Sequence, residues 1–171
     1  MEDAEVNHLK KTVGLAATFL LGLFVAQSEV HADSDDDDKI KARHSRIVGL
    51  YDVDVVVANC ATGETVASFR ALHKYELGGT GQVVPATNPV GLSEHSMIWK
   101  HVRGNDYKNV VKMFRFEAGV NNGWIIIRNE ISISEDGSAY SGSGVAEIFN
   151  SAGVWLAASC PSFTGTRITV E

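Results

Sequence analysis

From residue 47 onward, apolar and polar side chains alternate with a period of two, which is the pattern of half-buried β-strands. In the first run, Tyr51 and Val53 alternate with Asp52 and Asp54. The same alternation recurs in two later segments, 67–77 and 124–135. No window beyond the N-terminal segment shows the 3.6-residue period of an amphipathic helix. The pattern therefore predicts an all-β domain.

Short turn sequences separate these runs and predict how the strands are connected. Gly78-Gly79, Asn122-Gly123 and Asp136-Gly137 supply residues that tolerate positive φ angles. Several connections are short enough for hairpins, so strands adjacent in sequence are expected to be adjacent in the sheet. The predicted strands are 47–58, 67–77, 80–86, 96–103, 106–118, 124–135, 138–149, 153–159 and 163–170.

Eight or nine strands that meander in order are expected to close into a single antiparallel up-and-down β-barrel, because closure removes the unpaired edges of the sheet. A two-sheet sandwich is the alternative, although it usually needs longer crossing connections. The one long irregular segment, 85–95, is predicted to form a loop at the mouth of the barrel.

The first 45 residues carry targeting features instead of strand alternation. Lys10-Lys11 precedes an apolar stretch at 12–26, and Val30-His31-Ala32 fits a signal-peptidase site. This stretch would span only about 22 Å as a helix, which is less than the roughly 30 Å hydrocarbon core of a bilayer. The sequence therefore predicts three parts: a cleaved signal peptide at 1–32, an acidic disordered linker at 33–45 and a barrel domain at 46–171. A secreted or periplasmic protein with no stable membrane anchor after cleavage is expected.

Cys60 and Cys160 are the two cysteines of the chain. Export would place them in an oxidising compartment, where an even number of cysteines favours pairing. Their spacing excludes C-x-x-C redox chemistry and supplies too few ligands for a structural zinc site. We therefore predict one disulfide, which would contribute about 4–5 kcal/mol by restricting the unfolded chain.

The charge of the chain argues against a nucleic-acid partner. The net charge is −6 over 171 residues, of which the predicted barrel domain carries only −2. Nucleic-acid binding needs clustered Lys and Arg side chains to displace counterions from the phosphates. No such cluster is present in the sequence, so no nucleic-acid partner is expected.

Two segments near the N-terminus resemble those of trypsin-like zymogens. The run from Asp35 to Ile40 is similar to a trypsinogen activation sequence, and Arg46-Ile47-Val48-Gly49 is similar to a processed protease N-terminus. The chain has no Gly-Asp-Ser-Gly-Gly segment to present a nucleophile and no Ala-Ala-His-Cys segment to present a base. Since a triad needs both groups, a serine protease is excluded.

Gly49-Leu50-Tyr51 resembles the Gly-x-Trp opening of lipocalins and their calycin relatives, with Tyr in place of Trp. Thr164-Gly165-Thr166-Arg167 lies where those barrels carry an Arg on the last strand, which packs across that ring. The chain is also similar to small exported bacterial proteins of this type, whose function is unassigned. The motifs that carry this similarity are Asn59-Cys60-Ala61-Thr62-Gly63, Phe69-Arg70-Ala71-Leu72, Gly78-Gly79-Thr80, Trp99, Asp136-Gly137, Gly142-x-Gly144 and Cys160.

This resemblance covers residues 47–168. It implies a lipocalin-like fold, of the calycin or the allene-oxide-cyclase-like kind. It also implies that Tyr51 and Arg167 meet at the closed end of the barrel.

The side chains expected inside the barrel are the candidate site. We predict ligand contacts from Tyr51, His73, Tyr75, Trp99 and Tyr140. His73 could instead act as a general base, or could form a zinc or iron site with His95 and His101. No spacing typical of a metal or cofactor site is present, so neither is predicted, and no catalytic residue is assigned.

Three further expectations concern the strand faces. Arg128, Glu130 and Glu147 are expected to form ion pairs on the outside of the barrel. Gly142 and Gly144 would open space for a bulky neighbour or for a ligand. The remaining aromatic residues are expected in the core or at a barrel end, among them Phe114, Phe116, Trp124, Phe149 and Trp155.

The leading functional hypothesis is a secreted lipocalin-like barrel that binds a small, mostly apolar molecule at its open end, on the basis of fold-level analogy. One alternative is a cyclase- or isomerase-type enzyme that uses a convergent pair, such as His73 with Glu130 or with Tyr140. The other is a structural or interaction module of the cell envelope with a filled barrel.

Overall fold

Eight strands form a closed antiparallel barrel in a computed structural model that describes residues 45–87 and 91–170. The strands are β1 (Gly49–Ala58), β2 (Thr65–Tyr75), β3 (Thr80–Pro85), β4 (His95–Arg103), β5 (Asp106–Glu117), β6 (Val120–Ile133), β7 (Ala139–Asn150) and β8 (Trp155–Arg167). Each strand pairs with its neighbours in sequence, and β1 pairs with β8 to close the sheet. The predicted up-and-down barrel is confirmed, and the sandwich alternative is wrong.

The predicted signal peptide at 1–32 and residues 33–44 of the predicted linker lie outside the described residues. Residues 88–90 of the predicted mouth loop and residue 171 lie outside them as well. Within the described ranges, no helix has the length and apolar character needed to cross a membrane.

The C-terminal part of the barrel differs from the predicted strand boundaries. The segments predicted as two strands, 153–159 and 163–170, are the single strand β8. Pro161 has no N–H, and the pairing of β8 with β7 is interrupted beside it. Strand β8 nevertheless continues, because Pro161 stays in register with Val57 on the other side.

The turn between β6 and β7 is organised by Asp136. Its carboxylate accepts hydrogen bonds from the Ser134 hydroxyl at 2.6 Å and from the Ser138 backbone N–H at 3.0 Å. These hydrogen bonds lower the pKa of Asp136 to about 2. Gly137 follows with a φ of 74°, a left-handed conformation that favours glycine. The turn thereby points the Gly137 carbonyl oxygen back toward the barrel end.

Arg167 joins this turn to the start of β1. Its Nε donates to the Gly137 carbonyl oxygen at 2.7 Å, and its Nη1 donates to the Val48 carbonyl oxygen at 2.6 Å. Its Nη2 donates to the Arg46 carbonyl oxygen and to the Tyr51 hydroxyl. The guanidinium carbon lies 4.9 Å from the centroid of the Tyr51 ring. The structure thus brings Tyr51 and Arg167 together at one end of the barrel, here called the closed end.

The disulfide between Cys60 and Cys160 lies at the opposite end, here called the open end. The Cα atoms of the two cysteines are 5.1 Å apart, and Cys160 is in register with Ala58 of β1. The bond closes a sequence separation of 100 residues. The predicted disulfide is therefore present, and it is compatible with an extracellular or periplasmic location.

Four of the aromatic residues expected in the core or at a barrel end form a row on the outer face of the sheet, near the open end. The register aligns Phe114 with Trp124, Trp124 with Phe149, and Phe149 with Trp155 across β5 to β8. Phe114 and Trp155 are exposed. The row faces outward because the alternating positions beside it, such as Met113 and Ile125, face the lumen.

The Arg167 contacts predict that Arg167→Lys lowers the free energy of unfolding by at least about 2 kcal/mol, since a lysine cannot donate to all four oxygens or stack on the ring. Chemical denaturation would measure the change. Arg103→Lys is the matched control: this exposed side chain pairs with Asp106 at 3.6 Å, so a change below about 0.5 kcal/mol is expected. Equal effects of the two substitutions would contradict the role assigned to Arg167.

The disulfide predicts that the double variant Cys60→Ala, Cys160→Ala is less stable by about 2–5 kcal/mol, because its unfolded chain is freer. Denaturation of both proteins under non-reducing conditions tests this. Alkylation of native, unreduced wild type should label neither cysteine. Labelling of both thiols would refute the bond.

Candidate functional site

Five aromatic side chains fill the closed end of the lumen, and we call them the aromatic plug: Tyr51, Tyr75, Trp99, Tyr107 and Tyr140. Each is more than nine-tenths buried. Neighbouring rings meet edge to face with centroids between 4.8 and 6.2 Å apart, which is the favoured geometry of aromatic pairs. The Trp99 indole N–H donates to the Thr80 carbonyl oxygen at 2.8 Å. The plug therefore packs the closed end of the lumen with aromatic rings.

Glycines on β7 and β8 make room for two rings of the lumen. Tyr140 is in register with Gly165, and Phe163 is in register with Gly142. A Cβ at either glycine would lie 2.5 Å from the facing ring. The space expected at Gly142 is thus taken by a neighbouring side chain, Phe163.

A cavity of about 240 Å³ occupies the lumen between the plug and the open end. Its apolar lining residues are Val55, Val57, Phe69, Val83, Pro85, Leu92, Val111, Met113, Ile125, Ile127, Ala146, Pro161 and Phe163, and its polar ones are His73, Thr87, His95, Asn129 and Ser159. No described residue that lines the cavity is an Asp, Glu, Lys or Arg. The cavity is mostly apolar, with a few polar groups.

The described part of the mouth loop is held against β5 at the cavity entrance. Leu92 forms a β-bridge with Arg115, and the Ser93 N–H donates to the Phe114 carbonyl oxygen at 2.9 Å. The Phe114 N–H donates in turn to the Ser93 hydroxyl at 2.8 Å. These contacts place the Leu92 side chain beside the opening.

His73 links the plug to the cavity. Its Nδ1 lies 2.6 Å from the Tyr140 hydroxyl. Burial, and then the neighbouring His95, lower the pKa of His73 to about 4, so the imidazole is neutral at pH 7. Burial also raises the pKa of Tyr140, so this phenol keeps its proton.

His95 lies in the same row of the sheet as His73, since both are in register with Val83 on the strand between them. Its side chain is buried, and burial lowers its pKa. The Nε2 atom of His95 is buried without a hydrogen-bond partner. The cavity therefore contains two neutral imidazoles on neighbouring positions of one wall.

Two asparagines place polar groups on the other wall. The Asn129 Nδ2 donates to the Asn109 Oδ1 at 2.8 Å, and the Asn109 Nδ2 donates to the Tyr75 hydroxyl at 3.3 Å. The Oδ1 atom of Asn129 is buried without a partner. The Asn129 amide packs against Gly144 of β7, where an added Cβ would lie only 2.3 Å from its Oδ1 atom.

The structure places all five predicted ligand-binding residues in the lumen, but at different depths. Tyr51, Tyr75, Trp99 and Tyr140 belong to the plug, and His73 lines the cavity. Asn129 and Phe163 were not singled out from the sequence. The sequence did contain a signal for Asn129. This polar residue lies between Ile127 and Ile131 on the face of β6 that alternation predicts to point inward.

The residues of the enzyme and metal alternatives are only partly brought together. Glu130 faces solvent and pairs with Lys108 at 2.9 Å, so it is not a partner of His73. Arg128 and Glu147 also pair on the outer surface. His101 contacts Tyr107, on the far side of the plug from the cavity. Within residues 45–87 and 91–170, no group of three or more His, Cys, Asp or Glu side chains could hold a metal ion.

The low pKa of His73 predicts a loss of stability in mild acid. Between pH 6.5 and pH 4 the unfolded state binds a proton that the folded state resists, so the free energy of unfolding falls as the pH falls. The contribution of His73 between pH 7 and pH 4 is about 3 kcal/mol. Denaturation over this range should show a smaller decrease for His73→Gln than for wild type. Equal decreases would contradict the prediction.

No protein-family model matches the chain, and no curated protein is significantly similar to it in sequence. The function is therefore inferred from the geometry of the barrel lumen.

Proposed function

We propose that this protein binds a small, mostly apolar molecule in the cavity at the open end of a lipocalin-like barrel. The observation that carries the proposal is the cavity of about 240 Å³, in which thirteen of eighteen lining residues are apolar. Apolar sites with a few placed polar groups are typical of small-molecule pockets.

The size of the cavity limits the ligand. Dry apolar cavities of about 150 Å³ hold a benzene-sized molecule, and most ligand pockets measure about 300–1,000 Å³. A cavity of about 240 Å³ therefore suits a ligand somewhat larger than benzene. The structural alternative is a barrel whose lumen is filled by side chains, and a cavity of this size does not fit that alternative.

We propose further that the protein acts outside the cytoplasm after cleavage of its signal peptide at 1–32. The Cys60–Cys160 disulfide supports this location, because such bonds persist in oxidising compartments. The apolar stretch at 12–26 and the small-residue site at Ala32 supply the sequence support.

The hydrogen bond of 2.6 Å between His73 and Tyr140 favours a second candidate, a cyclase- or isomerase-type enzyme. A buried imidazole beside a phenol is a possible proton-transfer pair. The pKa of His73 is lowered to about 4, which makes this imidazole a weak base at neutral pH. Binding without chemistry is therefore the better-supported function.

The binding proposal predicts saturable, one-site binding of naphthalene, an uncharged compound somewhat larger than benzene, measured by isothermal titration calorimetry. Ala146 is buried and lines the cavity, so Ala146→Leu should fill the space and weaken binding at least about tenfold. Ala158→Leu is the matched control, because Ala158 is exposed beside Glu147 on the outer face. Absence of saturable binding by wild type would refute the proposal, as would equal effects of the two substitutions.

A further inference from the structure

The chain around Cys160 forms part of the cavity wall. Ser159 and Pro161 of β8, on either side of Cys160, line the cavity, and so does Val57 of β1. Because neighbouring residues of a strand point to opposite faces, the Cys160 side chain lies on the outer side of this wall. Its disulfide partner Cys60 is exposed. The disulfide therefore holds the cavity wall from outside, where a reductant in solution can reach it.

The part of β8 at Cys160 and Pro161 is weakly paired with the rest of the sheet. Strand β8 pairs with β7 at Ser162 and again at Ser159, but the register contains no pair with β7 at Cys160 or Pro161. Pro161 also has no N–H to donate to a neighbouring strand. On the other side, the pairing of β8 with β1 ends where Cys160 is in register with Ala58. This wall segment is therefore attached to β1 at the last pair of the ladder.

The other cysteine lies on a turn that is held by its own hydrogen bonds. Cys60 follows Asn59 in the turn between β1 and β2. The Asn59 N–H donates to the Glu64 carbonyl oxygen at 2.9 Å, and the Asn59 carbonyl oxygen accepts from the Gly63 N–H at 2.8 Å. The Asn59 Oδ1 accepts from the Ala61 N–H at 2.8 Å. The disulfide thus ties a weakly paired wall segment to a firmly bonded turn.

We propose that the Cys60–Cys160 disulfide is a redox latch of the cavity, so that its reduction by an external dithiol opens this wall and releases the bound molecule. This inference rests on the proposed function. In the reaction, a thiolate of the dithiol attacks one sulfur of the disulfide, and the second thiol of the dithiol then resolves the mixed disulfide. The bond between Cys60 and Cys160 takes up two electrons and two protons and becomes two thiols, while the dithiol becomes a disulfide.

The affinity for an apolar molecule depends on this wall because apolar binding follows the area removed from water. Val57, Ser159 and Pro161 belong to β1 and β8, the two strands whose pairing closes the barrel. When the segment at Cys160 separates from β1, water enters the cavity and that gain is lost. The closed end keeps its structure, since Arg167 holds the other end of β8 through its own hydrogen bonds.

Isothermal titration calorimetry with naphthalene, on the oxidised protein and on protein reduced with dithiothreitol, tests the latch. Reduction should weaken binding at least about tenfold, while far-UV circular dichroism shows that the barrel stays folded. Equal affinities in the two states would overturn the proposal. Unfolding of the reduced protein would overturn it as well, because the disulfide would then be a requirement of the whole fold. Absence of naphthalene binding by the oxidised protein would instead refute ligand binding itself.

Two variants assign the effect to the disulfide. The double variant Cys60→Ala, Cys160→Ala should bind naphthalene as weakly as the reduced wild type, and dithiothreitol should not change its affinity. Gly137→Ala is the control for a general loss of stability, because a side chain is strained at its φ of 74° in a turn at the closed end. This variant should be less stable than wild type and bind naphthalene with unchanged affinity. An equal loss of affinity in Gly137→Ala would overturn the proposal.

Amide hydrogen exchange then locates the opening. After reduction, the backbone amides of residues 158–162 should exchange faster, whereas those of residues 164–167 should keep their protection. Faster exchange along the whole of β8, or no change at residues 158–162, would contradict a latch at this wall.

Discussion

The hydrogen bonds of the Arg167 guanidinium are the interaction on which the rest of the structure depends. They connect the residues before β1, the last strand β8 and the turn between β6 and β7, so one side chain joins segments that are far apart in sequence. The same group lies over the Tyr51 ring and holds that ring in the plug. Because its acceptors are neutral oxygens, the cation closes the barrel end without bringing a carboxylate into it.

A lumen closed at one end has an electrostatic consequence for the groups above the plug. Burial keeps His73 and His95 neutral and keeps Tyr140 protonated, so the cavity wall carries hydrogen-bonding groups but no charge. Such groups stabilise a fold only when they are paired. The unpaired Nε2 of His95 and Oδ1 of Asn129 therefore cost the barrel stability.

The pair formed by His73 and Tyr140 has its clearest role in positioning. Tyr140 fixes the side of the imidazole that faces the plug, because its hydroxyl lies 2.6 Å from Nδ1. The phenol in turn is packed against Gly165, whose lack of a side chain lets the ring lie flat on β8. The orientation of a polar group in the cavity thus follows from a glycine on the neighbouring strand.

The sequence by itself determined the all-β fold, the strand order, the disulfide and the face of each strand that carries His73 or Glu130. Alternation with a period of two and turn chemistry are local properties, and two cysteines allow only one pairing within the chain. Only the tertiary structure decided how deep each inward side chain lies. Strands in a barrel are tilted and staggered, so residues on the same face meet at levels that the pairing register sets. For that reason Tyr51, Tyr75, Trp99 and Tyr140 fill the closed end, while His73, His95 and Asn129 border the cavity.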